Sequence, residues 1–153
     1  MSSAPAVRIV LFICTGNYYR SRFAEILFNW HAQARGLPWR ATSRGTDLDG
    51  AGRWNVGPLS VHARQALEAR GVPYEADLRM PESLAESDFS ADLILGVCER
   101  EHRPHVERDF PALAHRVAYW SVEDLAYTSA ADALPAIERQ VLALLDRLEA
   151  PER

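Results

Sequence analysis

An apolar run, Val7 to Ile13 with only Arg8 interrupting it, passes without a spacer into Cys14-Thr-Gly-Asn-Tyr-Tyr-Arg20-Ser21, and a helical repeat begins as soon as that stretch ends. A short, continuous apolar run is the pattern of a strand buried on both faces, as in a parallel sheet. After Arg20, the residues Phe23, Ile26, Leu27 and Trp30 recur at helical spacing. Ala34 extends the stripe, and Gly36 and Pro38 stop it. Phe28 and Trp30 are expected in the core. A buried strand feeding directly into a helix commits the chain to a layered α/β architecture, because both faces of such a strand must be covered.

The turn between strand and helix has the composition of an anion nest. Gly16 and Asn17 are the residue types that most readily take left-handed backbone angles, which let successive N–H groups point inward. Arg20 offers a planar fork matching two phosphate oxygens. The helix that follows turns its positive end toward the same point. These features favour a thiolate at Cys14, and a thiolate at the base of such a loop can attack phosphorus. Ser21 is placed to give it a hydroxyl hydrogen.

Further along, Trp39 to Ser43, Asp92 to Cys98 and Arg116 to Trp120 are strand candidates. Asp47 to Gly57 reads as loop. Pro58 suits a first helical turn, followed by a stripe at Leu59, Ala63, Ala66 and Leu67 and a stop at Gly71. A last helix is expected from Asp132, with a stripe at Leu134, Ile137, Val141, Leu144, Leu145 and Leu148. The expectation is therefore one domain over 1–153: α/β, three-layered, with a four-stranded parallel sheet flanked by helices and a phosphate-binding loop after the first strand. Ligands in such sheets bind beyond the carboxyl ends of the strands. Cys14, Ser43, Glu99 and Asp124 all fall at or just after such ends and are expected on one rim.

Composition removes several function classes. A net charge of −4 argues against a general nucleic-acid binder. All 17 basic residues are arginine, so lysine nucleophiles and Schiff bases are excluded. Two distant cysteines make no disulfide framework, which points to a reducing, cytoplasmic setting. Met1 to Ala6 lacks the basic flank and apolar core of a leader, and no apolar run is long enough to cross a membrane. His102 and His105 share a helical spacing, but no third or fourth ligand accompanies them, so no metal is expected.

The passage Ile9 to Glu25 resembles the signature of low-molecular-weight protein tyrosine phosphatases, a family that includes the thioredoxin-coupled arsenate reductases. The resemblance implies a cysteine-dependent phosphomonoesterase without cofactor, acting on a phosphorylated protein or a small aryl phosphate. Phosphotyrosine, phosphoarginine and phosphorylated metabolites are all within its reach as substrates. It implies that Cys14 is the nucleophile and that Thr15, Gly16, Asn17, Tyr18, Tyr19, Arg20 and Ser21 bind the phosphoryl group, with phosphate, vanadate or sulfate as site ligands. Ser43, in a segment similar to the family's Ser-Ala-Gly-Thr, would support Asn17. Trp54 and Tyr127 would flank the substrate mouth. Hydrolysing the cysteinyl-phosphate also needs an acid and then a base. Asp124, after the fourth strand candidate, is placed for both, with Glu123 as the fallback.

Four positions depart from the family pattern. Leu125 stands where proline usually follows the acid. Tyr19 replaces a second cysteine beside the arginine, which leaves oxidised Cys14 no adjacent resolving thiol. Arg22 replaces proline and is expected at the mouth or in solvent. Ala76 stands where a histidine usually braces the loop asparagine, while Arg79 falls where the family has arginine. Two alternatives follow: an arsenate reductase of the same fold, with Cys98 and an external thiol, and a catalytically weak phosphate-binding regulatory module.

Overall fold

A computed structural model describes residues 6–150 of the chain; Met1–Pro5, part of the segment read above as having no leader features, lie outside the described residues. The elements are β1 (Arg8–Cys14), α1 (Arg20–Ala34), β2 (Trp39–Gly45), α2 (Val61–Ala69), β3 (Leu93–Gly96), α3 (Glu99–Asp109), β4 (Val117–Tyr119) and α4 (Ala130–Glu149). The strands form one parallel sheet in the order β2-β1-β3-β4, as the four expected strands require. β3 and β4 are shorter than expected.

β1 shows why the sheet is covered on both sides. Its side chains alternate between two cores. Val10, Phe12 and Cys14 join the larger one with Phe23, Leu67 and Ile137 from α1, α2 and α4. Leu11 and Ile13 join the smaller one with Phe89, Val106 and Val117. Phe12 is fully buried and meets Phe28 edge-on at 6.1 Å and Trp120 at 5.5 Å between ring centroids. The chain moves from β1 outward to β2, then crosses back to β3 on the other side. The order therefore reverses between β1 and β3, and the crevice for a ligand opens at their carboxyl ends.

Three local expectations are corrected. Trp30 is 42% exposed and borders an open groove with Pro73, Ala76 and Asp77. α2 starts at Val61, beyond Pro58, where the Ser60 hydroxyl caps it by accepting from the His62 N–H. α4 starts at Ala130 with Ser129 as its N-cap; Asp132 lies one turn inside and accepts the Ser129 hydroxyl at 3.1 Å. Among the described residues, no helix is long and apolar enough to cross a membrane.

Because Phe12 sits at the centre of the larger core, Phe12→Ala is expected to lower the unfolding free energy by about 3–5 kcal/mol, measured by urea titration.

Candidate active site

The turn from Cys14 to Arg20 closes on itself because its carbonyls are claimed from outside. Thr46 N–H donates to Cys14 O, Asp47 N–H to Thr15 O, Ser60 N–H to Tyr18 O and Phe23 N–H to Tyr19 O, all at 2.9–3.0 Å. With those oxygens turned outward, the N–H groups of Gly16 to Ser21 have no acceptor among the described residues. The same turn lines a cavity of about 110 Å³ with Cys14, Thr15, Gly16, Tyr18, Tyr19 and Arg20, while Asn17 and Ser21 stand behind it. Cys14 is 2% exposed, and its Sγ lies 2.8 Å from the Ser21 hydroxyl. Gly45 allows β2 to approach this turn: a Cβ there would sit 2.6 Å from the Thr15 carbonyl oxygen and 3.1 Å from the Asn17 nitrogen.

Asn17 holds the left-handed angle, at φ 50°, and every hydrogen-bonding position of its amide is filled. Its Nδ2 donates to Ser21 Oγ at 3.0 Å and Ser43 Oγ at 2.8 Å. Its Oδ1 accepts from Arg79 Nη1 at 2.9 Å and from the Glu82 N–H at 3.0 Å. Ser43 thus meets Asn17 as the resemblance implies, and Arg79 meets it too, a contact the sequence reading did not assign. Behind Ser43 stands Glu25, to which the serine hydroxyl donates at 2.5 Å, and Ala76 lies away from Asn17 in the groove beside Trp30. Arg22, expected at the mouth or in solvent, is instead fully buried and pairs with Glu25 at 2.8 Å.

Arg20 is 2% exposed and heavily engaged. Its Nη1 donates to Val122 O at 2.8 Å and Glu101 Oε1 at 3.2 Å, and its Nη2 to Glu101 Oε2 at 2.6 Å. Glu101 also accepts from the Thr15 hydroxyl and lies 2.9 Å from His102 Nε2. His102 Nδ1 accepts the Cys98 N–H at 3.2 Å, which assigns the hydrogen to Nε2. Burial lowers the His102 pKa against the opposing pull of Glu101, in keeping with a neutral ring. Burial would raise the Glu101 carboxyl, but hydrogen bonds from His102 and Arg20 outweigh it and hold the group well below its ordinary 4.5. What remains open on Arg20 is one edge: Nε–H has no acceptor among the described residues, and Nη2 faces Asp124 Oδ2 at 3.8 Å.

Asp124 and Leu125 line the far wall of the cavity, with Ala51, Gly52, Asn55 and Ser60 opposite. Asp124 Oδ1 accepts the Leu125 N–H at 2.8 Å. Glu123 turns away and pairs with Arg100 at 2.6 Å. Tyr19 is buried; burial pushes its phenol up to about 12, with Asp124 adding and Arg20 opposing. Tyr18 donates its hydroxyl to Val56 O at 2.7 Å.

Four expected residues are placed elsewhere. Trp54 and Tyr127 do not line the cavity: they are 76% and 73% exposed, with Arg53 over one ring at 4.8 Å and Arg100 over the other at 5.5 Å. The short turn Ala51–Trp54 presents its backbone and Asn55 to the cavity and sends the indole outward. Glu99 is exposed and pairs with Arg103 at 2.9 Å; the carboxylate that reaches the site comes from Glu101, two residues on. Cys98 is 3% exposed behind the N-terminus of α3. Among the described residues, no cluster of three or more potential metal ligands occurs. Glu101, Glu25 and the burial of Arg22 went unread in the sequence. For Glu101 the available signal was an acidic residue in the first turn of α3, which also describes any solvated first turn; Glu25 lies beyond the first turn of α1, which carries no acidic residue.

Residues 9–149 match the sequence model of a family described as Low molecular weight phosphotyrosine protein phosphatase. The protein-tyrosine-phosphatase PtpA of Staphylococcus epidermidis is 34% identical over 90 residues, covering 58% of this chain and 53% of that protein. Protein-tyrosine phosphatase A of Mycobacterium tuberculosis is 36% identical over 96 residues, covering 61% and 53%. The chain thus spans about half the length of the curated relatives it matches. The crystal structure of a low molecular weight protein tyrosine phosphatase from T. tengcongensis superposes with a TM-score of 0.76 at 25% identity, covering 92% of this chain and 99% of that one.

The depressed Glu101 carboxyl fixes the sign of a pH effect. A carboxylate held below its ordinary value contributes stability in full above about pH 4.5 and loses it as pH falls through its folded-state value. Glu101→Gln is therefore expected to cost roughly 1–3 kcal/mol at neutral pH. Its melting temperature should also fall less steeply than that of the wild type as the solution is acidified below that point, as followed by circular dichroism.

Proposed function

The chain belongs to the low molecular weight phosphotyrosine protein phosphatase family, and from that premise we propose that it is a cysteine-dependent phosphomonoesterase that works through a cysteinyl-phosphate intermediate. The observation that supports the reading is that one small cavity is lined by Cys14, by a loop whose N–H groups have no acceptor among the described residues, and by Arg20. The Nε–H and Nη2–H of Arg20 match two oxygens of a phosphoryl group, and the loop amides meet the remainder. These donors stand where charge spreads in the transition state.

Cys14 attacks phosphorus as the thiolate, the P–O bond to the leaving group breaks, and Asp124 gives that oxygen its proton. Asp124, now a carboxylate, takes a proton from water, whose oxygen attacks the cysteinyl-phosphate. The S–P bond breaks, inorganic phosphate leaves, and the thiolate is restored. Asp124 is preferred to Glu123 because it lines the cavity and Glu123 does not. Ser21, with a hydrogen for Cys14, stabilises the thiolate as attacking and as leaving group. Asn17 and Ser43 act behind the loop. The scheme requires no metal or cofactor.

The substrate class proposed is a phosphorylated protein, phosphotyrosine first, with small aryl phosphates as surrogates and vanadate, phosphate and sulfate as competitors. A nucleophile that must remain a free thiol suits the cytoplasm.

Hydrolysis of p-nitrophenyl phosphate at mildly acidic pH in the presence of a chelator tests the reading. Wild type should turn over and be inhibited by vanadate, Cys14→Ser should be inactive, and Asp124→Ala should lose about 10²–10⁴-fold in kcat. Retention of full activity in Cys14→Ser would refute the assignment.

A further inference from the structure

Arg22 lies in the first turn of α1 and has no exposed surface. Arginine is almost never fully buried without partners. Its Nη1 donates to Glu25 Oε2 at 2.8 Å and its Nη2 to the Asp77 carbonyl at 2.5 Å, while its Nε–H has no acceptor among the described residues. The other oxygen of Glu25 receives the Ser43 hydroxyl at 2.5 Å and Arg79 Nη2 at 3.1 Å. Two guanidiniums therefore share one carboxylate directly behind the phosphate loop.

We infer that Arg22 is a positioning residue for the nucleophile, acting through Glu25 to fix the direction of a hydrogen-bond relay that ends on Cys14. A carboxylate between two guanidiniums only accepts, so Ser43 must spend its hydrogen on Glu25. Ser43 Oγ is then left to accept from Asn17 Nδ2 at 2.8 Å. The second hydrogen of that amide goes to Ser21 Oγ at 3.0 Å. Ser21 in turn keeps its own hydrogen for Cys14 Sγ, 2.8 Å away. Each step is set by the one before it, and the first is set at Glu25.

Arg22 also divides the work with Arg79. Arg79 reaches Asn17 Oδ1 and the Ser43 carbonyl, both at 2.9 Å, as well as Glu25. With Arg22 gone, Arg79 becomes the only cation paired with Glu25 among the described residues and is drawn off Asn17. Asn17 then loses one of the contacts that hold its backbone at φ 50°, and the loop amides lose their common focus.

The proposal rests on the reading of Cys14 as nucleophile, and its test separates the two. Arg22→Met, Arg22→Lys, Glu25→Gln and Arg22→Met/Glu25→Gln are compared by p-nitrophenyl phosphate kinetics and vanadate inhibition. Activities are corrected for folded fraction by circular dichroism. Arg22→Met should lose on the order of tenfold to a hundredfold in kcat, the scale of a small misplacement of reacting groups. Its vanadate inhibition constant should rise by a similar factor while KM moves less. Arg22→Lys, which keeps a cation for Glu25 but not the fork, should fall between. Adding Glu25→Gln to Arg22→Met should cost far less than Glu25→Gln alone, because the two act as a unit. Wild-type kcat and vanadate affinity per folded molecule of Arg22→Met would overturn the proposal, as would fully additive losses. Should Arg22→Met fail to fold, an Arg22→Lys variant with wild-type kcat and vanadate affinity overturns it on its own. An inactive wild type refutes the phosphatase reading instead, and vanadate binding across the variants then still decides the role of Arg22.

Discussion

The site depends on keeping one non-glycine residue, Asn17, in a left-handed conformation at the end of a buried strand. Left to itself the backbone would relax, because a side chain at positive φ is strained. The chain prevents this by saturating the Asn17 amide from both sides, with Ser21 and Ser43 accepting and Arg79 and the Glu82 N–H donating. None of these four residues lines the cavity. The surface that meets a ligand is thus shaped from behind, by contacts a ligand never makes.

A second constraint is electrostatic. An arginine long enough to reach a phosphoryl group is also flexible enough to miss it. Glu101 resolves this by gripping the guanidinium on Nη1 and Nη2 while Val122 O takes the remaining Nη1 hydrogen. The Nε side stays available. A carboxylate so near the proposed anion site weakens its positive potential, yet it also fixes the Arg20 guanidinium in advance, the advantage of a preorganised fork. The Thr15 hydroxyl and His102 Nε2–H crowd the same carboxylate, so α3 and the first loop residue are tied to the arginine as one rigid piece.

What was legible in the sequence was local or strongly patterned. Cys14, Asn17, Arg20 and Ser21 stand within eight consecutive residues, and the strand before and the helix after fix how they face each other. β1 and β3 were legible because buried parallel strands read as apolar runs, and the placing of Cys14 and Asp124 at the carboxyl ends of strands followed from the topology, whereas Ser43 lies buried behind the loop. The contacts of Glu101 and Arg22 were not. Glu101 meets Arg20 across 81 positions of sequence, and a charged residue in a helix's first turn is by default solvated. Burial of Arg22 became possible only because its partners, Glu25 and the Asp77 carbonyl, come from two different segments. Trp30 failed in the opposite direction: its periodicity placed it on the buried stripe, but it borders an open groove and nothing among the described residues covers it.

The absence of proline after Asp124 shows how one means of ordering a loop substitutes for another. Proline would fix φ and shrink the unfolded ensemble, but it carries no N–H. Leu125 does carry one, and donates it to Asp124 Oδ1 at 2.8 Å. The Asp124 carbonyl receives the Tyr127 and Thr128 N–H groups at 2.9 Å, closing a turn around the same residue. Conformational restriction built into a ring is thereby exchanged for restriction by hydrogen bonds. The two are not equivalent: a ring is permanent, whereas these hydrogen bonds can be exchanged for bonds to water. A loop ordered in this way couples the orientation of the Asp124 carboxylate to its own backbone, so carboxylate and turn move as one unit, and the far wall of the cavity is the part of the site with the least independent support.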